Sequence, residues 1–160
     1  MSVIKTSNYK SVVLKKMAAL PVWNIILIAY LFNTGISLLF GYVLFPQAPT
    51  QVENEKIGYL FMTAVVVAPL VETYLTQHLI IHYTKKWLGS YVFGVLLCSI
   101  VFSLLHYYNL PYIAKTFING FVYSAAYAIF HWRKCSPTWH VSIIHCLHNL
   151  TALIVNEISN

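Results

Sequence analysis

The sequence contains no aspartate and has only four acidic residues, all of them glutamate. Charged residues make up 9% of its 160 residues, whereas an average soluble domain has about 25%. Hydrophobic residues make up 59% of the chain, and the mean hydropathy is +0.68. This composition excludes an ordinary soluble domain and predicts an integral membrane protein.

Cysteine is also scarce, and the sequence shows no repeat and no low-complexity segment. The three cysteines are odd in number and lie in or near apolar stretches, so no disulfide framework is indicated. The net charge of +6 comes from short basic clusters between apolar stretches, which is typical of cytoplasmic membrane anchors. We therefore expect membrane lipid as a partner and no nucleic acid.

Five apolar stretches, each near the ~20 residues that cross a bilayer as a helix, divide the chain. They run over residues 22–45, 58–83, 88–108, 112–132 and 138–158. The sequence thus predicts an all-α fold, an integral membrane helical bundle with about five transmembrane helices. Residues 1–21 are expected to form a basic cytoplasmic N-terminal arm, and residues 22–160 a single membrane-embedded domain.

Lysine and arginine are distributed unevenly between the ends of these spans. The basic residues of the arm and the basic pairs at 85–86 and 133–134 fall on one side of the membrane. Only Lys56 and Lys115 are left on the other side. The positive-inside rule then predicts a cytoplasmic N-terminus, in a plasma (inner) membrane.

Glu72 is the one acidic residue in the middle of a predicted span. An ionisable group at membrane depth costs about 2.5 kcal/mol or more, so it needs polar partners. His106, His145 and Asn149 are candidates on two other spans. Residues four apart share a helix face, so His145 and Asn149 point the same way, as do Phe102 and His106. We expect one acid, two imidazoles and a carboxamide to converge inside the bundle.

Other histidines leave alternatives open. His78 and His82 are four apart, a spacing that suits a metal ion, although we interpret them as a polar helix end. His148 follows His145 by three residues, so the spacing allows it either to face the site or to point away.

Four short motifs follow one another on separate predicted spans. They are Glu72 after "APLV", Phe102 with His106, Gly120 with Tyr127, and His145 with Asn149. In this order they resemble the CPBP family, the CAAX-processing and bacteriocin-processing intramembrane glutamic endopeptidases, over residues 61–155. The resemblance implies an intramembrane endopeptidase that cleaves a membrane-associated peptide or protein.

The chain departs from the family pattern at Thr73 and Gln77, where the family has a second Glu and an Arg. Those two positions are four apart, so the family residues would pair along one helix face. Because both residues are replaced by neutral ones, neither leaves a buried charge without its ion-pair partner. We predict that Thr73, Gln77 and Phe102 support the catalytic residues.

The resemblance implies that Glu72 activates water with His106, and that His145 and Asn149 stabilise the oxyanion, without a cofactor. One alternative is a zinc-dependent protease with Glu72, His106 and His145 as ligands. Two others are a catalytically inactive membrane scaffold or immunity-type protein, and a proton or ion carrier. The sequence predicts no substrate-binding residues.

Overall fold

The computed structural model describes residues 19–46 and 57–159 of the chain. Within these residues the fold consists of five helices and contains no strand. The helices are α1 (Val22–Leu44), α2 (Ile57–Leu88), α3 (Tyr91–Leu104), α4 (Leu110–Trp132) and α5 (Pro137–Ser159). The predicted all-α membrane bundle is confirmed. The predicted basic arm lies outside the described residues except for positions 19–21.

Three of the five helices, α1, α2 and α5, are long and apolar enough to cross a membrane by length and composition. Helix α3 has only 14 residues and is shorter than the predicted span at 88–108. It is shorter because α2 continues to Leu88 and the chain turns after Leu104. Helix α4 has 23 residues but includes Lys115 and several buried polar side chains, and it is not among the three.

Specific residues set the end of α2 and the starts of α3 and α4. Gly89 ends α2 in the left-handed conformation, with φ of 66°, which glycine adopts without a steric penalty. The Ser90 hydroxyl accepts a hydrogen bond from the Phe93 N–H at the start of α3. Asn109 Oδ1 accepts from the Tyr112 N–H at 2.8 Å and caps α4. These short connections hold α2, α3 and α4 as neighbouring antiparallel helices.

Helix α2 is irregular on both sides of the turn that carries Glu72. Its residues Phe61–Val67 and Thr73–His78 are π-helical, and Ala68–Glu72 between them is α-helical. Pro69 explains the first π segment, because proline has no N–H and its ring clashes with the carbonyl four residues earlier. Wide turns of this kind often occur at functional sites.

The bundle places polar side chains inside and large apolar side chains outside. Asn33, Thr73, Gln77, Ser99 and Ser124 are fully buried. Large apolar side chains along α1, α2 and α3 are more than 40% exposed, among them Leu31, Leu75 and Ile100. A soluble domain has the opposite distribution, so the exposed apolar surface is the surface that lipid covers.

Candidate active site

Three side chains from three parts of the fold meet at one carboxylate oxygen. Glu72 Oε2 lies 3.9 Å from His106 Nε2 and 3.8 Å from His145 Nε2. Glu72 comes from α2, His106 from the turn after α3, and His145 from α5. The structure therefore brings together the acid and the two imidazoles that the sequence singled out.

Exposure differs among these three side chains and shows which one is most accessible. The exposed fraction is 4% for His145, 18% for His106 and 28% for Glu72. The carboxylate is thus the most accessible group, and His145 forms the buried floor of the site.

Phe102 fixes His106 through both its backbone and its ring. The Phe102 carbonyl accepts a hydrogen bond from His106 Nδ1 at 2.7 Å, and the two ring centroids are 4.6 Å apart. A carbonyl can only accept, so Nδ1 carries the proton. Neutral His106 therefore presents an unprotonated Nε2 to Glu72. The spacing of Phe102 and His106 in the sequence matches this one-turn contact.

His145 is held by rings from α3 and α4. Its ring stacks on Tyr123, with centroids 4.5 Å apart, and lies 5.7 Å from the Phe102 ring. A Cβ atom on Gly120 would lie 2.9 Å from Phe102 Cδ1, so only glycine lets α4 approach Phe102 this closely. Tyr123 was not predicted, but it follows Gly120 by three residues and so lies on the same face of α4.

Asn149 contacts the backbone of α2. Its Nδ2 donates a hydrogen bond to the Ala64 carbonyl at 2.8 Å. Ala64 belongs to the first π segment, two turns before Glu72. The side chain therefore joins α5 to α2 upstream of the carboxylate.

Thr73 and Gln77 are both buried in the bundle interior, directly after Glu72. The Thr73 hydroxyl and both polar atoms of the Gln77 amide have no hydrogen-bond partner, so they bond neither to each other nor to Glu72. The segment Thr73–His78 is π-helical, with bonds from i to i+5, and both side chains still point into the bundle interior. The supporting role of Thr73 and Gln77 stays a prediction.

His148 lies in a polar cluster between α1, α4 and α5. Its Nε2 is 3.3 Å from the Ser37 hydroxyl, which also accepts from Asn119 Nδ2 at 3.3 Å. The Tyr123 ring contacts both His148 and His145, with centroids 6.4 Å and 4.5 Å away. His148 therefore lies beside the site, in contact with the same Tyr123 ring that stacks on His145.

His78 and His82 lie near the other end of α2, with their ring centroids 5.8 Å apart. His78 Nδ1 is 2.7 Å from the Tyr127 hydroxyl, and Tyr91 and His131 form a similar pair at 2.8 Å. These contacts link α2, α3 and α4 at a distance from Glu72.

The distances at Glu72 are wider than those of a zinc centre. Ligand atoms about 2.1 Å from a tetrahedral zinc ion are about 3.4 Å from one another. The Glu72 oxygen is 3.8 Å and 3.9 Å from the two imidazole nitrogens, a wider arrangement. In the part of the chain that the structure describes, no group of three His, Cys, Asp or Glu side chains is arranged to hold a metal ion.

Comparison with known protein families matches residues 54–151 to the family described as type II CAAX prenyl endopeptidase Rce1-like. The matched range covers more than half of the chain and includes Glu72, His106, His145 and Asn149. No curated protein and no solved structure matches the sequence.

Proposed function

Since the chain belongs to the type II CAAX prenyl endopeptidase Rce1-like family, we propose that it cleaves a prenylated, membrane-associated peptide close to its C-terminus, with Glu72 activating the attacking water. The main observation behind this proposal is the Glu72 carboxylate flanked by two imidazoles inside a membrane bundle. A CAAX sequence ends three residues after its prenylated cysteine, so the lipid anchor keeps the scissile bond at the membrane.

Glu72 is suited to the role of general base by its position. Its distances to both imidazoles exceed the 2.7–3.2 Å of a direct N–H···O hydrogen bond. The carboxylate is therefore not hydrogen-bonded directly to either histidine. A water molecule bound at Oε2 would also lie within hydrogen-bond distance of an imidazole Nε2. A well-placed general base contributes typically 10²–10⁴-fold to the rate.

The two histidines differ in the hydrogen-bond partner of Nδ1, and this difference gives them different roles. His106 Nδ1 donates to the Phe102 carbonyl, which leaves the Nε2 lone pair free to share the proton of the water. His145 Nδ1 has no hydrogen-bond partner, so its proton is free to reside on Nε2. His145 is then a donor to the oxyanion, a contact worth about 3 kcal/mol in the transition state.

The reaction proceeds in two steps. The water oxygen attacks the scissile carbonyl carbon while Glu72 takes a water proton, and His145 donates to the resulting oxyanion. The C–N bond then breaks, and the leaving amine takes the proton that Glu72 and His106 hold between them. Water is the only co-reactant, and every step uses side chains of this chain.

The test is cleavage of a synthetic peptide with a farnesylated cysteine followed by three residues. Purified protein in detergent should release the tripeptide, which mass spectrometry detects. We expect Glu72→Gln to lower kcat by about 10²-fold or more, because the amide cannot accept the proton. Glu157→Gln, at an exposed glutamate near the end of α5, is the matched control and should retain activity.

The other candidate functions give different results in the same assay. A zinc-dependent protease would lose activity on chelation and recover it with added zinc. A scaffold would cleave nothing, and its cellular phenotype would survive Glu72→Gln. Full activity of Glu72→Gln would contradict the proposed role of this residue.

The orientation also belongs to the proposal. The N-terminus should be cytoplasmic and the C-terminus on the other side of the plasma membrane, because the basic clusters fall on one side. Reporter fusions at each terminus test this, and equal reporter signals from the two ends would contradict it.

A further inference from the structure

Lys115 places a positive charge beside the candidate site. It lies in the second turn of α4, just after the turn that carries His106, and its side chain is partly buried. The ammonium is 4.1 Å from the centre of the Tyr112 ring, and the ring centres of Tyr112 and His106 are 6.1 Å apart. Because both distances are measured to the Tyr112 ring, the ammonium lies within about 10 Å of the His106 ring.

The contacts of Lys115 leave its charge without an anionic partner. Among residues 19–46 and 57–159, the ion pairs are those of Glu72 with its two histidines, and no acceptor bonds to the Lys115 ammonium. The ammonium instead interacts electrostatically with His106 and with His148 on α5. An unpaired lysine within a membrane bundle costs free energy, so its position next to the site calls for a ligand.

A carboxylate is the ligand that fits this group. An ammonium has three N–H donors, and its hydrogen bonds to a carboxylate are charge-assisted. The substrate of the proposed reaction ends in such a carboxylate, three residues beyond the bond that is cleaved. Three extended residues span at most about 10 Å. The C-terminus of a peptide cleaved beside His106 therefore comes within reach of Lys115.

We propose that Lys115 binds the C-terminal carboxylate of the peptide substrate and so fixes the distance between the cleaved bond and the end of the chain. Tyr112 holds the ammonium through its ring, a contact that leaves N–H donors free for the substrate. This inference rests on the proposed function, because the three residues are counted from the bond that Glu72 attacks. It adds a preference for substrates with a free C-terminus.

The experiment uses two farnesylated peptides that differ only at the C-terminus, which is a free carboxylate in one and a carboxamide in the other. The wild type in detergent should cleave the free acid with a kcat/KM about tenfold to 10²-fold higher, since a hydrogen bond between charged groups has an effect of about this size. Lys115→Met keeps a long apolar side chain without the charge. It should lose the preference for the acid and cleave the amide within about twofold of the wild type.

Two further variants separate the charge of Lys115 from its packing. Lys115→Arg keeps a positive charge and should retain most of the preference for the free acid. Lys86→Met is the matched control, because Lys86 is an exposed lysine near the end of α2, and it should keep the full preference. The melting temperature of Lys115→Met should not fall, because the substitution removes an unpaired charge from the bundle.

Equal losses on the two peptides in Lys115→Met would overturn the proposal and leave Lys115 with a general electrostatic role. Equal cleavage of the two peptides by the wild type would overturn it as well, and this comparison needs no variant to fold.

A non-cleavable analogue separates this proposal from the proposed function. In the analogue a ketomethylene group replaces the scissile amide, and its acid and amide forms are compared by the rise in melting temperature that they produce. If the wild type cleaves neither peptide, the proposed function fails. Stronger stabilisation by the acid form, lost in Lys115→Met, would still support the carboxylate site, and equal stabilisation by both forms would overturn it.

Discussion

Gly120→Ala tests whether the close approach of α4 to Phe102 shapes the site. The new Cβ would lie 2.9 Å from Phe102 Cδ1, 3.1 Å from its Cβ and 3.2 Å from its Cγ. Carbon atoms pack at about 3.5–4.0 Å, so Phe102 or α4 must move by about 0.5 Å. Because the Phe102 Cβ is attached to the backbone, rotation of the ring alone does not remove the clash.

Two opposing energies decide the size of the effect. Overpacking of this kind costs about 1–3 kcal/mol, and replacing glycine by alanine in a helix gains about 1 kcal/mol. Gly35→Ala in α1 isolates the second energy, because nothing lies within 4 Å of its new Cβ. We therefore expect Gly120→Ala to be less stable than Gly35→Ala by about 1–3 kcal/mol.

Activity should change with the position of Phe102, which holds His106 through its carbonyl and touches the His145 ring. A displacement of about 0.5 Å should lower kcat by about tenfold, given a 10²-fold effect for 1 Å. The assays are thermal unfolding in detergent and cleavage of the farnesylated peptide. If Gly120→Ala matched Gly35→Ala in both, the packing argument for Phe102 would be refuted.

Two further predictions concern the surroundings of Glu72. Installing only one family charge, Thr73→Glu or Gln77→Arg, should lower the melting temperature, because both positions are fully buried. The double variant should recover part of the loss, with a coupling free energy of about 0.5–3 kcal/mol. Additive effects of the two substitutions would show that the two positions do not interact. Asn109→Ala should lower the free energy of unfolding by about 1 kcal/mol, because it removes the N-terminal cap of α4, which follows the turn that carries His106. Asn109→Ser should restore most of this stability. Equal stability of wild type and both variants in thermal unfolding would contradict the role of the cap.

Sequence reasoning found Glu72, His106 and His145 because each is an ionisable side chain in an apolar stretch. Hydropathy identifies such residues without knowledge of the fold, and their cost in lipid requires partners. It missed Tyr123, an aromatic residue in an apolar helix, whose one signal in the sequence is its spacing of three residues from Gly120. It assigned Asn149 by analogy, whereas the bond to Ala64 depends on a backbone acceptor that leaves no trace in side-chain pattern.

Pro69 was the one available signal for that acceptor. A proline in a helix removes a donor, so some carbonyl four or five residues earlier needs another one. The sequence alone does not tell which carbonyl, because the answer depends on whether the turn is α-helical or π-helical.

The sequence by itself determined a helical membrane protein with one buried acid and the histidines that accompany it, because hydropathy and residue type act locally along the chain. The tertiary structure decided which of these groups meet. Contact between Glu72, His106 and His145 depends on how far α2, α3 and α5 are shifted and rotated against one another. Those shifts follow from packing at Gly120, from the irregular turns around Pro69 and from the short connections, which act together only in the folded bundle.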